Sequence, residues 1–318
     1  MSRRRTALAR AAAWVVLGSL GLAAAGCSTS APPPVAQPAP IASATAAASS
    51  IPSGANPVRS ASPTRTPSAE ATAEASVKPK ASAKAAAAAA PSLWADRRNA
   101  WAFAPLDDPG KVTVEGRPRS GPAWSTSKVL VVAAYLDTRV DGDPKRLDAA
   151  SRRLVARALQ QSDADAVLTL RNRISGSPGR AMTSILRSVG DKSTRVPDRS
   201  QGLMTWSLRE QVRFLAAMDD GRVVSKATSR YLLAQMRPIK SHRWGLGTIG
   251  ASAYKGGWLR SSTVTRQMGI VDGYAVAVLT DAVGPAVRQS DGDSAHVRQL
   301  NKLARSLDKR LASESASR

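Results

Sequence analysis

Cysteine is nearly missing from this chain: Cys27 is the single one among 318 residues. No internal disulfide and no cysteine-based metal centre can therefore form. Histidine is scarcely commoner, at His242 and His296, so an imidazole metal site lacks its ligands. A Ser-His-Asp triad would have to use His242, since His296 falls in an expected terminal helix, and nothing like Gly-x-Ser-x-Gly surrounds a serine. No phosphate-cradling glycine loop precedes a helix. No metal and no cofactor are expected. Acidic side chains are few as well, 23 against 46 Lys and Arg, and no glutamate stands between Glu115 and Glu210.

The formal net charge is +23, dividing into roughly +7 before residue 92 and roughly +16 after it. The basic residues are dispersed and form no recognition element, which argues against nucleic acid. They suit anionic surroundings such as phospholipid heads or wall polymers.

Residues 1–27 read as an export signal. Arg3, Arg4, Arg5 and Arg10 are followed by an apolar stretch from Ala11 to Leu22 and the small residues Ala23 to Gly26. The apolar core is too short for a spanning helix. The ending resembles a bacterial lipobox, which implies lipidation of Cys27, attachment to the membrane through that lipid, and an address on its outer face. Residues 28–91 are Ala, Pro, Ser and Thr with hardly a large apolar side chain. Such a segment buries too little surface to offset its ordering entropy and reads as a tether. The folded domain is expected over 92–318.

Within it, "LWADRRNA" suits a short helix, and "AWAFAPLD" with "KVTVEG" suits a hairpin turning at Asp107 to Gly110. Val129 to Tyr135 is apolar all round, as in a buried helix. Further helical periods run over 146–160, 163–174, 179–190, 207–218 and 225–236. Three strands follow, within 251–258, 262–271 and 274–282, and a last helix over 291–312. Two strands, a helical block, three strands and a helix imply one α+β domain in which early and late strands share an antiparallel sheet.

"STSK" at 125–128 holds the chemistry. Ser125 and Lys128 are three apart and share a helix face. A desolvated lysine can accept the proton of a serine hydroxyl. A charged Lys128 leading into an apolar helix is costly unless it finds partners or loses its proton. Alone, Ser-x-x-Lys says little, but Ser162-Asp163-Ala164 begins a later helix and "YKGGW", with Lys255, lies on a strand. In this order and context the three elements resemble the Ser-x-x-Lys, Ser-Asp-Asn and Lys-Thr-Gly motifs of the penicillin-recognising serine hydrolases, the class A β-lactamases and penicillin-binding proteins. "GDKSTRV" at 190–196 is similar to the stretch that opens that family's omega loop.

The resemblance implies a five-stranded antiparallel sheet with flanking terminal helices and an inserted all-helical region. It implies Ser125 as acylated nucleophile, Lys128 as proton acceptor, Ser162 as proton relay and Lys255 as the charge for a substrate carboxylate. The backbone N–H groups of Ser125 and Trp258 would form the oxyanion hole. Gly256, Gly257 and Arg266 would meet the substrate, a small molecule or a peptidoglycan peptide. The pattern also breaks. Ala164 replaces an asparagine, Gly256 replaces a threonine, and the class A glutamate that activates the deacylating water is missing; Asp198 is the nearest substitute. Three readings stay open: a wall-facing acyl enzyme with slow deacylation, a β-lactamase with an unfamiliar base, and a non-catalytic lipoprotein that binds or scaffolds. Trp124, Trp206 and Trp258 either line the cleft or pack.

Overall fold

The computed structural model describes residues 90–282 and 295–318. The expected signal, Cys27 and the tether up to residue 89 lie outside the described residues, as do the first four of the expected final helix. Among the described residues no helix is long and apolar enough to cross a membrane.

In chain order the elements are β1 (Asn99–Pro105), β2 (Thr113–Gly116), β3 (Ser120–Pro122), a 3-10 turn (Trp124–Thr126), α1 (Ser127–Val140), α2 (Ala149–Gln160), α3 (Ala164–Asn172) and α4 (Pro178–Ser188). After them come β4 (Thr205–Ser207), α5 (Leu208–Asp219), α6 (Lys226–Gln235), β5 (Ala253–Trp258), β6 (Thr265–Val271), β7 (Tyr274–Thr280) and α7 (Ala295–Ala316). The main sheet runs β2-β1-β7-β6-β5 and every pairing is antiparallel, so the first hairpin joins the last three strands through β1 and β7.

Side chains alternate across each strand, and both faces are covered. From β1, Ala100, Ala102 and Ala104 join the core shared with α1, α2, α4 and α5. Trp101 and Phe103 face the other way, into a core with Val297, Leu300, Leu303, Leu307 and Leu311 of α7. β7 repeats this with Ala275, Ala277 and Leu279 against Tyr274, Val276 and Val278. Small residues on the inner face let α5 lie directly on β1 and β7. At the centre of the helical layer, α1 is buried from Ser127 to Leu136.

Two features depart from the sequence expectations. No helix forms over 93–100: a turn at Trp94-Ala95 leads into β1. Asp96 explains it, because its Oδ1 accepts the backbone N–H groups of Arg98 and Asn99, each at 2.8 Å. A side chain serving its own neighbours in this way competes with helix formation. The second feature is a small sheet, β3 paired with β4, that no alternation announced.

Candidate active site

The 3-10 turn carrying Ser125 is braced from three sides. Ala123 N donates to Met204 O at 2.9 Å, Thr126 Oγ1 accepts Gln211 Nε2 at 2.9 Å, and β5 packs against the turn. The last contact is so close that a methyl group on Gly257 would stand 2.9 Å from Ala123 O and Ser125 N and 3.0 Å from Thr126 N. Only glycine fits there. Trp124, immediately before Ser125, has φ +44°, a left-handed conformation that an L side chain adopts only under constraint.

Ser125 and Lys128 open onto a cleft of about 360 Å³. Its walls come from α1 (Val131), the start of α3 (Ala164, Asp165, Leu168), residues 200–202 and the end of β5 with Trp258 and Leu259. Residues 200–202 carried no chemical motif in the sequence. Their place follows from Ser200, at φ +54°, turning the chain into the cleft wall.

Beneath the wall lies a two-lysine array around Ser162. Lys128 Nζ donates to the Ser162 carbonyl oxygen. Lys255 Nζ donates to Ser162 Oγ at 2.9 Å and to Gly256 O at 2.8 Å. Ser162 itself sits at φ +59°. That conformation, costing on the order of 1–2 kcal/mol, turns its carbonyl to one lysine while its hydroxyl meets the other. Asp163 stabilises the junction: Oδ1 caps α3 by accepting Ala166 N at 2.9 Å, while Oδ2 pairs with Arg157.

Burial sets the electrostatics. Lys128 is 8 % exposed, and desolvation lowers its pKa from 10.5 to about 8 against the pull of Asp163. Lys255 falls well below its ordinary value, first through burial and then through Lys128. His242 falls to about 4 through burial and the charge of Lys255, with the Gln160 backbone opposing. It is neutral near pH 7.

Ser125 and Lys128 thus share one cleft, and hydrogen bonds join Lys128 and Lys255 to Ser162. The expectation for Arg266 is corrected. Arg266 is 0 % exposed. One terminal nitrogen, Nη1, donates to Gly121 O and Pro122 O at 2.9 and 3.1 Å. The other, Nη2, donates to Trp206 O at 2.9 Å and Gln211 Oε1 at 2.5 Å. It ties β3, β4 and α5 together and, through Gln211, holds Thr126. It is not turned toward a substrate. Asp198 is corrected as well: its Oδ1 accepts Ser177 Oγ and Gly179 N at the start of α4, and that hydroxyl, then that amide, hold its pKa down. Gly256 and Gly257 are buried, and neither is part of the cleft wall. Trp206 packs in the core, whereas Trp124 and Trp258 line the cleft.

An aromatic group beside β5 was not foreseen. Trp258 meets His242 edge-on at 5.6 Å and Trp244 at 5.3 Å, with His296 packed behind. The residues are far apart in sequence, and nothing in their spacing marks them.

No family model and no curated protein sequence matches the chain. Solved structures do. PBP-A is 18 % identical with a TM-score of 0.53, covering 70 % of this chain and 93 % of its own. The extended-spectrum β-lactamase TLA-3 is 15 % identical at 0.51, covering 68 % and 94 %. A β-lactamase from Streptosporangium roseum is 16 % identical at 0.51, covering 67 % and 93 %. A leucine-to-glutamate mutant of PBP-A, solved as an acyl-enzyme complex with penicillin G, is 19 % identical at 0.51, covering 68 % and 90 %. The chain has the β-lactamase and penicillin-binding-protein fold.

Proposed function

We propose that this chain is a serine acyl enzyme acting on an ester or amide carbonyl at the cell envelope. The observation that carries this reading is the Lys128–Ser162–Lys255 array, with one amine brought near neutral pH, behind the cleft wall that holds Ser125. Ser125 Oγ attacks the carbonyl carbon as its proton passes to neutral Lys128. The oxyanion is held by the N–H groups of Ser125 and Trp258, on the turn and strand that the Gly257 contact presses together. The leaving oxygen or nitrogen takes a proton through Ser162 Oγ, which Lys255 orients. Water then hydrolyses the acyl-Ser125 ester, releasing the acid and regenerating the hydroxyl.

Deacylation is the slow step in this reading. Among the described residues lining the cleft the carboxylate is Asp165, exposed in the first turn of α3, and Asp198 is occupied at α4. The PBP-A mutant solved as an acyl-enzyme complex with penicillin G, a protein of the same fold, supports this reading. We place the domain outside the cell, tethered by 28–91 and anchored through lipid on Cys27, with wall peptides or β-lactams within reach.

A second reading, a binding module, is favoured by one observation: Lys128 Nζ donates to the Ser162 carbonyl oxygen rather than to Ser125 Oγ. Intact-mass analysis separates the two. The purified chain is incubated with an alkyl fluorophosphonate and, separately, with benzylpenicillin, beside Ser125→Ala. A single phosphonate adduct mapped to Ser125 and lost in the variant is expected. A wild-type protein that stays unlabelled, or is labelled elsewhere, overturns the enzyme reading.

A further inference from the structure

Among the described residues that line the cleft, those on the β5 side include no side-chain cation. The wall there is Trp258 and Leu259, the latter 43 % exposed. Both cations carried by β5 and β6 are turned inward. Lys255 is 3 % exposed with its amine on Ser162 Oγ and Gly256 O. Arg266 is fully buried on backbone carbonyls and Gln211.

Between them Gly256 has no side chain, and so offers neither a charge nor a hydroxyl, although a methyl group there would make only ordinary contacts. A methyl group on Gly256 would lie 3.5 Å from Trp258 Cζ3 and 3.6 Å from Gln267 Cγ. The indole is itself wedged edge-on against His242 and Trp244. His242 adds no positive charge at neutral pH, since burial holds it down to about 4. An anion pressed against this wall loses water and touches no charged side chain there, which is costly. The cations that do line the cleft, Lys128 and Arg171, come from α1 and α3, and Arg171 donates to Asn172 Oδ1 at 2.9 Å.

From this arrangement we infer that the site selects uncharged acyl donors: esters or thioesters with no carboxylate on the part of the substrate that lies against β5. The inference rests on Ser125 as nucleophile. In the step concerned, the Ser125 Oγ–acyl bond forms and the bond from the carbonyl carbon to the leaving oxygen or sulfur breaks. The Ser125 proton ends on the departing alcohol or thiol, and water later cleaves the acyl-serine to the free acid.

The test uses two butanoate esters of similar leaving-group acidity, the 3-carboxyphenyl ester and the 3-(methoxycarbonyl)phenyl ester, hydrolysed by the purified chain. The kcat/KM for the neutral ester is expected to exceed that for the anionic one by at least about tenfold. In Trp258→Ala the ratio should fall toward one, as space returns to the β5 wall. Equal or preferred turnover of the anionic ester, with Ser125→Ala inactive, overturns the selectivity and leaves the nucleophile standing. Inertness of the wild type toward both esters and toward the fluorophosphonate overturns both.

Discussion

Replacing Lys128 with methionine should separate stability from activity. The wild-type amine is buried in α1, and its pKa drops from 10.5 to about 8, chiefly through desolvation. At about 1.4 kcal/mol per pH decade, that drop corresponds to about 3 kcal/mol of native-state cost at pH 7. Methionine fills similar volume without the charge. It leaves the Ser162 carbonyl without the Lys128 donor, a loss of about 1 kcal/mol. The variant should therefore be more stable than wild type by about 1–3 kcal/mol at pH 7, a rise in Tm of roughly 2–10 °C for a domain of this size. The pH dependence has a definite sign. Between about 8 and 10.5 the unfolded chain binds the Lys128 proton more than the folded one. Wild-type stability consequently gains with rising pH across that window, and the gap to the variant closes. Differential scanning calorimetry of both proteins at pH 7 and pH 10 reads this directly. A variant less stable than wild type at pH 7, or a gap that widens toward pH 10, would refute a desolvated cation at this position. Phosphonylation of Ser125 should meanwhile be lost.

Other outcomes follow from the same contacts. The rate of Ser125 phosphonylation should rise with pH through about 8 and level off above it, as Lys128 loses its proton; a rate flat from pH 6 to 10 would count against Lys128 as the base. Gly257→Ala drives a methyl into the Ser125 turn and should cost about 1–3 kcal/mol together with labelling, whereas Gly256→Ala meets only ordinary contacts and should keep its stability in urea titrations. Arg266→Met should destabilise despite removing a buried cation. Burial lowers its pKa to about 9, worth about 5 kcal/mol, but four hydrogen bonds from a charged donor, about 1.5–3 kcal/mol each, outweigh it. An unchanged urea midpoint for Arg266→Met would show that the clamp does not hold the 3-10 turn.

Chain order and period alone determined much of this protein. The alternation in β1 and β7, the all-apolar α1 and the Ser125–Lys128 spacing are local properties, so they could be read before any fold was known. So could the arrival of Ser162 and Lys255 on a later helix start and a later strand. Other features depend on what packs from outside. Asp96 and Asp198 became caps because a nearby backbone N–H lay within reach, and a propensity for helix or a place in a loop does not record that. β3 and β4 are three residues each, too short for a period. The direction of Arg266 was beyond the sequence for a sharper reason. Every residue of β6 is buried, with helices on one face and α7 on the other, so no polar alternation distinguishes the side that faces the cleft from the side that faces the clamp. The aromatic wall of Trp258, His242 and Trp244 arose the same way, from segments that only the sheet and its covering turns bring together. The catalytic candidates were local signals, but the shape and charge of the space around them were decided by contacts between residues distant along the chain.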